Sequence, residues 1–214
     1  MAEAEKILEI ARAELGTRES PPYSNRVRYN TWYYGREVSG KSYPWCMVFV
    51  QWCFARAGVA LPVKTASCGA LMSAAKQAGQ WVSGDYRPGD VVIYDFPGGG
   101  ATDHTGIVER VTPAGVVAIE GNTSRAGSQS DGGEVCRKDR PYRQIVGAVR
   151  PRFEREEAQM DNVPSPAHKE GVEWAKENGI LTGDGSGDLK LTEPVTRQQL
   201  CTMLYRYAKK TGRA

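Results

Sequence analysis

Residues 44–58 read PWCMVFVQWCFARAG. Apolar side chains fall on nearly every face of a helix drawn through this segment, which is typical of a helix buried on all sides. Pro44 stands near its start, where a missing amide proton is tolerated, and Gly58 stands at its end. We therefore predict a buried helix from Trp45 to Ala57, and the other elements of its domain must pack around it.

The segments beside this helix predict two more helices and a long loop. Residues 3–15 carry apolar side chains on one helical face, and residues 67–79 begin at Ser67, a typical N-cap residue. Both segments stop at a glycine, which is a common helix end. Residues 17–43 are rich in proline, glycine and aromatic residues, and we predict an ordered loop there because so many rings are rarely left in solvent.

The region after residue 89 predicts strands, since short β-branched runs alternate with turn residues. In chain order these runs are 90–96, 104–112, 115–123 and 144–151. The TPAG sequence between the second and third runs indicates a hairpin. Helices followed by an antiparallel sheet predict an α+β fold.

Composition limits the class of protein and its partners. The chain has 214 residues, of which 40% are hydrophobic and 25% charged, which excludes a disordered or fibrous protein. A net charge of +3 is too small to indicate a nucleic-acid partner. No apolar run approaches the ~20 residues of a membrane span, so we expect no membrane insertion. We expect a domain over residues 1–153, a charged linker over 154–166 and a small helical segment over 167–214.

The cysteines and histidines restrict the chemistry. Five cysteines without a CxxC motif indicate neither a disulfide framework nor a structural zinc site. His104 and His168 are the two histidines, whereas a catalytic zinc usually takes about three protein ligands with histidine prominent. We therefore expect no metal and no other cofactor.

Four polar residues suit nucleophilic catalysis. Cys46 lies at the start of the buried helix, where free amides and the helix dipole stabilise a thiolate, although a core cysteine is the plainer alternative. His104 begins a strand and is the first candidate for a general base. The hairpin brings it near Glu120 and Asn122, and either can orient an imidazole.

These blocks resemble the CHAP family of cysteine- and histidine-dependent amidohydrolases and peptidases, in YPWCMVFVQWCF, DHTGIVERV, IEGNTS and IVGAVRPRF. The resemblance covers residues 1–153 and implies a papain-like core, with a helix packed on an antiparallel sheet. It implies that Cys46 is the nucleophile and that His104 is general base and then acid. It also implies that Glu120 orients the imidazole, that Asn122 is a fourth polar member and that the mechanism needs no metal.

The implied substrate is bacterial peptidoglycan. Members of the family cut either the amide between muramic acid and L-alanine or a bond within the stem peptide and cross-bridge, and both remain open here. Tyr43 is a candidate second donor to the oxyanion. Trp45, together with Trp32 and Tyr33, is a candidate for lining the peptide groove, although core packing explains these three rings at least as well.

The C-terminal segment predicts two helices, the second opened by a capping box of Thr196 and Gln199. It resembles one S-layer homology repeat at Trp174, Ala175, Gly179, Ile180, Gly183, Leu189, Pro194, Thr196, Arg197, Leu200 and Leu204. The resemblance implies that Arg197 helps to bind a secondary wall polysaccharide, while a solvated arginine is the alternative. Because the family uses three repeats together, we expect copies of this chain to form a homo-oligomer.

The leading hypothesis is a phage or prophage endolysin. The N-terminal sequence MAEAEKILEIARAELG is interrupted by charges and is not a secretory signal, so we expect synthesis in the host cytoplasm and release to the wall through a holin-type pore. Three alternatives remain open: a wall-remodelling hydrolase of a host or conjugative element, a non-catalytic wall-binding module, and a zinc amidase.

Overall fold

A computed structural model describes residues 2–96, 102–126, 131–153, 162–185 and 187–213. The chain divides into two compact units, Met1–Glu154 and Arg155–Ala214. None of the helices within these ranges has the length and apolar character that crossing a bilayer requires.

Four helices come first in the larger unit. They are α1 (Ala2–Ala13), α2 (Arg28–Tyr34), α3 (Cys46–Ala57) and α4 (Cys68–Gln77). Helix α3 is the predicted buried helix and ends at Gly58, which adopts the left-handed conformation. Helix α4 begins after Ser67, whose hydroxyl accepts a hydrogen bond from the Ala70 amide at 3.2 Å. The predictions of α1, α3 and α4 are confirmed.

Helix α2 lies inside residues 17–43, so the prediction of a loop throughout that segment is wrong. The helix has only 7 residues, too few for its apolar periodicity to be recognised. Its Tyr29 is fully buried, and the ring packs against Phe49 and Trp52 of α3 with both centroid distances at 5.2 Å. Tertiary packing therefore stabilises a helix that is too short to persist alone.

Among the described residues, six strands form one antiparallel sheet in the order β1-β6-β2-β3-β4-β5. They are β1 (Trp81–Val82), β2 (Val91–Tyr94), β3 (His104–Thr112), β4 (Gly115–Thr123), β5 (Glu134–Pro141) and β6 (Ile145–Val149). The four predicted strands are β2, β3, β4 and β6. The predicted α+β fold with a papain-like core is confirmed.

Strands β1 and β5 were not predicted. Strand β1 has 2 residues. Strand β5 reads EVCRKDRP, and its charged side chains hide the alternation that marks a half-buried strand. Its pairing with β4, which joins Glu120 to Cys136, makes it the far edge of the sheet.

Strands β3 and β4 form the predicted hairpin. Thr112 pairs with Gly115 at the turn, and Ile107 pairs with Ile119 further along. The start of β3 therefore lies beside the end of β4, and His104 comes to the same end of the sheet as Glu120.

Helix α3 packs directly on β4 at Gly121. A Cβ atom at this glycine would lie 2.6 Å from the Cβ of Phe49 and 2.8 Å from the ring of Trp45, closer than real Cβ atoms approach. The missing side chain thus allows the start of α3 to approach the strand segment that holds Glu120 and Asn122.

The smaller unit contains helices α5 (Lys169–Glu177) and α6 (Arg197–Lys210) after a 3-10 turn at Pro166–His168. The Thr196 hydroxyl accepts a hydrogen bond from the Gln199 amide at 3.2 Å, and the Gln199 side chain accepts one from the Thr196 amide at 2.8 Å, so the predicted capping box is confirmed. Of the predicted linker, residues 154–161 lie outside the described residues.

Substituting Gly121 with alanine should lower the free energy of unfolding by about 1–3 kcal/mol, because the added methyl group must push α3 away from β4. Urea unfolding followed by tryptophan fluorescence measures the loss. Gly84→Ala is the matched control, since nothing lies within 4 Å of a Cβ atom there. Equal unfolding midpoints for the two variants would contradict the close approach.

Candidate active site

Cys46 is the first residue of α3 and is 6% exposed. The preceding residue, Trp45, caps the helix with no side-chain hydrogen bond. The amides at the start of α3 are therefore not taken by a capping side chain, and they are available to a thiolate or to an oxyanion.

His104 is fully buried at the start of β3. Its Nε2 atom lies 3.0 Å from Oε2 of Glu120. The other ring nitrogen, Nδ1, is buried and makes no hydrogen bond of normal geometry to the described residues. Because Glu120 engages Nε2, Nδ1 is the nitrogen left for the interaction with Cys46, and such contacts commonly tighten only when substrate binds.

Cys46 has a pKa well below the usual value of 9.0. The largest cause is a hydrogen bond from the Cys68 thiol; burial opposes the shift, and hydrogen bonding and charge at His104 add to it. Cys68 is the first residue of α4 and 7% exposed, and its own pKa is raised well above 9.0 by the hydrogen bond with Cys46 and by burial. Of the two thiols, Cys46 is the thiolate, because only Cys46 also interacts with His104.

The imidazole carries the matching positive charge. Burial alone would lower the pKa of His104, but its interactions with Cys46 and Glu120, together with their charges, raise the pKa to about 9. The lowered pKa of Cys46 and the raised pKa of His104 favour a thiolate–imidazolium pair, which is the reactive state of a cysteine nucleophile.

Glu120 remains ionised although it is fully buried. Burial would raise the pKa of its carboxyl group, but hydrogen bonds from Arg140 and His104 outweigh burial and lower that pKa. Arg140 donates from Nε to Oε1 at 2.7 Å and from Nη2 to Oε2 at 2.5 Å. The carboxylate thus accepts from the imidazole on one side and from a guanidinium on the other.

Asn122 is fully buried on the same strand and has a positive φ of 56°. Neither atom of its side-chain amide makes a hydrogen bond to any described residue. Burying an unpaired amide costs about 1–3 kcal/mol, and such groups and such backbone strain concentrate at functional sites. The structure places Asn122 two residues from Glu120 but does not join it to the other three candidates by a hydrogen bond.

Of the two roles left open for Trp45, the structure favours core packing over a contact with substrate. The side chain is fully buried in the core, and its ring packs against Tyr29 at 5.5 Å. It has no surface to offer a ligand, so its role is packing. Trp32, at 36% exposure, does have such a surface, and the ammonium group of Lys64 lies 5.5 Å from its ring centroid.

Tyr43 is half-buried. Among the described residues, no hydrogen bond joins its side chain to the thiol of Cys46. Its ring contacts Tyr34 at 5.1 Å, and its hydroxyl accepts from Arg36 at 3.5 Å. Arg197 belongs to the smaller unit, where it is exposed at the first position of α6. The structure therefore brings together Cys46, His104 and Glu120, and it leaves Tyr43 outside this cluster.

Two residues of the cluster were missed by sequence reasoning. Nothing in the sequence around Cys68 singles it out, and only its contact with Cys46 distinguishes it from an ordinary buried cysteine. Arg140 lies on β5, which was not predicted. The sequence signal for Arg140 is an arginine in the strand beside the one that carries Glu120. This signal can be recognised only once the pairing of β4 with β5 is known.

A comparison with protein-family models finds the CHAP domain at residues 38–122. The matched segment begins before α3 and ends at Asn122, so it contains all four predicted catalytic residues. This match supports a CHAP-family protein and, through it, a family of amidases and peptidases that hydrolyse peptidoglycan. No curated protein matches the chain.

The pair predicts a distinct pH dependence. We expect iodoacetamide to alkylate Cys46 at pH values well below 9.0, because the thiolate persists there. We expect hydrolysis to decline as the pH rises through about 9, where His104 loses the proton that a leaving amine requires. Peptide-resolved mass spectrometry and the pH dependence of kcat/KM measure the two effects.

Cys53, buried on the same helix, is the internal control for alkylation. Burial raises its pKa well above 9.0, so it should stay unmodified under the same conditions. An alkylation midpoint for Cys46 near the pKa of an ordinary thiol would contradict the ion pair.

Proposed function

We propose that this protein hydrolyses an amide bond of bacterial peptidoglycan, with Cys46 as nucleophile, His104 as general acid and base, and Glu120 as the residue that orients the imidazole. The observation that carries the proposal is the buried imidazole of His104, which lies 3.0 Å from the carboxylate of Glu120 and interacts with Cys46 at the start of α3. The CHAP-domain match over the same residues supports the substrate class.

The reaction proceeds by acyl transfer. The Cys46 thiolate attacks the carbonyl carbon, and the negative charge that develops on the oxygen is stabilised by backbone N–H groups at the start of α3. His104 donates its proton to the leaving amine as the carbon–nitrogen bond breaks, which leaves a thioester on Cys46. His104 then removes a proton from water, the hydroxide attacks the thioester, and the thiolate is released.

Within this class we propose a phage or prophage endolysin that is synthesised in the host cytoplasm and reaches the wall through a holin-type pore. Ile7, Leu8 and Ala11 of α1 are buried in the core, so α1 is part of the folded larger unit. A wall-remodelling hydrolase of a host or conjugative element would use the same site and the same chemistry.

The smaller unit is proposed to bind a secondary wall polysaccharide. It contains a cavity of about 610 Å³ whose lining includes Thr182, Lys190, Gln199 and Arg206. Hydroxyl, amide and cationic groups can hydrogen-bond to a hydroxylated polymer, as can the carboxylates of Asp184 and Glu193 in the same lining. Arg197 precedes this lining and is exposed, so it can extend the binding surface.

Replacing Cys46 with alanine should abolish wall lysis, with a loss of about three orders of magnitude or more, because the variant has no nucleophile. Turbidity of purified cell walls measures the rate. Cys201→Ala removes an exposed cysteine of the other unit and should lyse walls at the unaltered rate. Lysis that survives Cys46→Ala would contradict the catalytic assignment and favour the wall-binding alternative.

Mass spectrometry of the released muropeptides identifies the bond in the same experiment. A new free amino group on L-alanine indicates an amidase, and one within the stem or cross-bridge indicates an endopeptidase. Inhibition by iodoacetamide with no effect of a chelator is expected for the thiol mechanism, whereas the reverse pattern would favour a zinc amidase.

Association of copies through the smaller unit is a further expectation. Leu200 and Leu204 of α6 lie one helical turn apart and are 47% and 57% exposed, an apolar surface that a second copy would cover. Light scattering should therefore give a multiple of the single-chain mass, and Leu204→Glu should return the single-chain value. Val111→Glu, at an exposed apolar position of the larger unit, should leave the mass unchanged; a monomeric parent protein would contradict the association.

A further inference from the structure

We propose that Arg140 is a positioning residue of the catalytic site, which acts through Glu120 to hold His104 in the orientation and charge state that Cys46 needs. This inference rests on the proposed cysteine chemistry and does not depend on which amide is cut.

Arg140 lies on the neighbouring strand, and its guanidinium group binds the carboxylate of Glu120 through two donors. Its Nε and Nη2 atoms each donate to a different oxygen of Glu120, and the arginine side chain is 3% exposed. A bidentate pair of this kind fixes both the distance and the plane of the carboxylate. The plane matters because Oε2 must also lie in line with the N–H of His104.

Two aromatic rings hold the guanidinium and the imidazole together. The guanidinium carbon of Arg140 lies 4.5 Å from the ring centroid of Phe96 and 5.2 Å from that of Tyr94. The same rings pack on His104, with centroid distances of 5.8 Å for Phe96 and 6.0 Å for Tyr94. Arg140 and His104 thus share one pair of ring neighbours and one carboxylate, so displacement of the arginine disturbs both supports of the imidazole.

Charge balance gives Arg140 a second effect. With Cys46 as thiolate, His104 as imidazolium and Glu120 as carboxylate, the buried group would carry a net negative charge without the arginine. A buried net charge is costly, and the least costly relief is uptake of a proton by Glu120 or by Cys46. Either event removes the reactive ion pair, because His104 then loses its acceptor or the nucleophile becomes a thiol.

The other titratable neighbours do not replace this cation. Glu120 is next to Tyr94 and pairs in the sheet with Cys136, and burial raises the pKa of both groups, so they stay neutral. Cys46 is next to Cys68, which also stays protonated, and Asp103 adds a negative charge on the side of Cys68. Among the described residues around the cluster, Arg140 is the group that balances the carboxylate.

The test measures the pH dependence of Cys46 alkylation by iodoacetamide in the full-length protein. Arg140→Met should raise the midpoint by about 1–3 pH units, because a nearby opposite charge shifts a pKa by that amount. Arg140→Lys retains the charge but not the bidentate pair, so its midpoint should stay closer to that of the parent protein while kcat for wall hydrolysis falls. An unchanged midpoint in a folded Arg140→Met variant would overturn the proposal.

Arg137→Met is the matched control. Arg137 lies on the same strand and forms an equally bidentate pair, with Glu109, at 2.5 and 2.8 Å. That pair is half-exposed at the arginine and has no member in the cluster. Its loss should leave the alkylation midpoint of Cys46 unchanged, and a shift as large as that of Arg140→Met would show a general effect of weakening β5.

A double-mutant cycle separates action through Glu120 from direct action on Cys46. In a Glu120→Gln background, Arg140→Met should move the midpoint by less than half of its shift in the parent protein, and equal shifts would overturn the proposal. The double variant removes both members of a buried ion pair, which is tolerated far better than removal of one. If Arg140→Met alone does not fold, the midpoint of the double variant should match that of Glu120→Gln, and a further large rise would overturn the proposal.

Alkylation is measured without peptidoglycan, which separates this proposal from the proposed function. If Cys46 of the parent protein is alkylated at low pH but the protein lyses no wall, the proposed peptidoglycan substrate is contradicted. The alkylation midpoints of the variants still test the role of Arg140. Normal lysis together with an unchanged midpoint in the Arg140 variants contradicts the positioning role alone.

Discussion

Glu120 carries a negative charge at a position that water does not reach. An isolated carboxylate in such a place would take up a proton, and a protonated Glu120 could not accept the N–H of His104. Hydrogen bonds from Arg140 and His104 keep it ionised, and His104 in turn remains protonated opposite the thiolate of Cys46. Each charge of the site is thus stable only because its neighbour is present.

The backbone supports this chain of charges at one place in particular. Strand β4 carries Glu120 on one side of Gly121 and Asn122 on the other, and α3 packs on the glycine between them. The first residue of α3 is Cys46, so the same close approach that seals the core also sets the Cys46 thiol against the sheet. Packing and chemistry are therefore determined by one helix–strand contact.

Local patterns allowed much of this to be predicted. The apolar run around Cys46 predicted α3, and the hairpin turn predicted that His104 would lie beside Glu120, because both depend on residues close in the sequence. Arg140 and Cys68 could not be found in this way. Each acts through a partner on a distant segment, and no periodicity in their own segments reports that partner.

One error and one undecided role have the same origin. Helix α2 forms because Tyr29 packs against α3, which is a long-range effect that overrides a segment full of turn residues. Trp45 was a candidate for lining the peptide groove, with core packing as the alternative. The residue before a buried helix can point inward as easily as outward, and here it fills the core.

The burial of the four charged groups also sets how the protein responds to dissolved ions. Mobile ions screen charges that face solvent over about a Debye length, but they cannot enter between Cys46, His104, Glu120 and Arg140. The electrostatics of the proposed bond cleavage therefore depend little on ionic strength. An exposed cation such as Arg197 is not shielded in this way, so salt weakens whatever attraction it has for an anionic polymer while the chemistry itself stays the same.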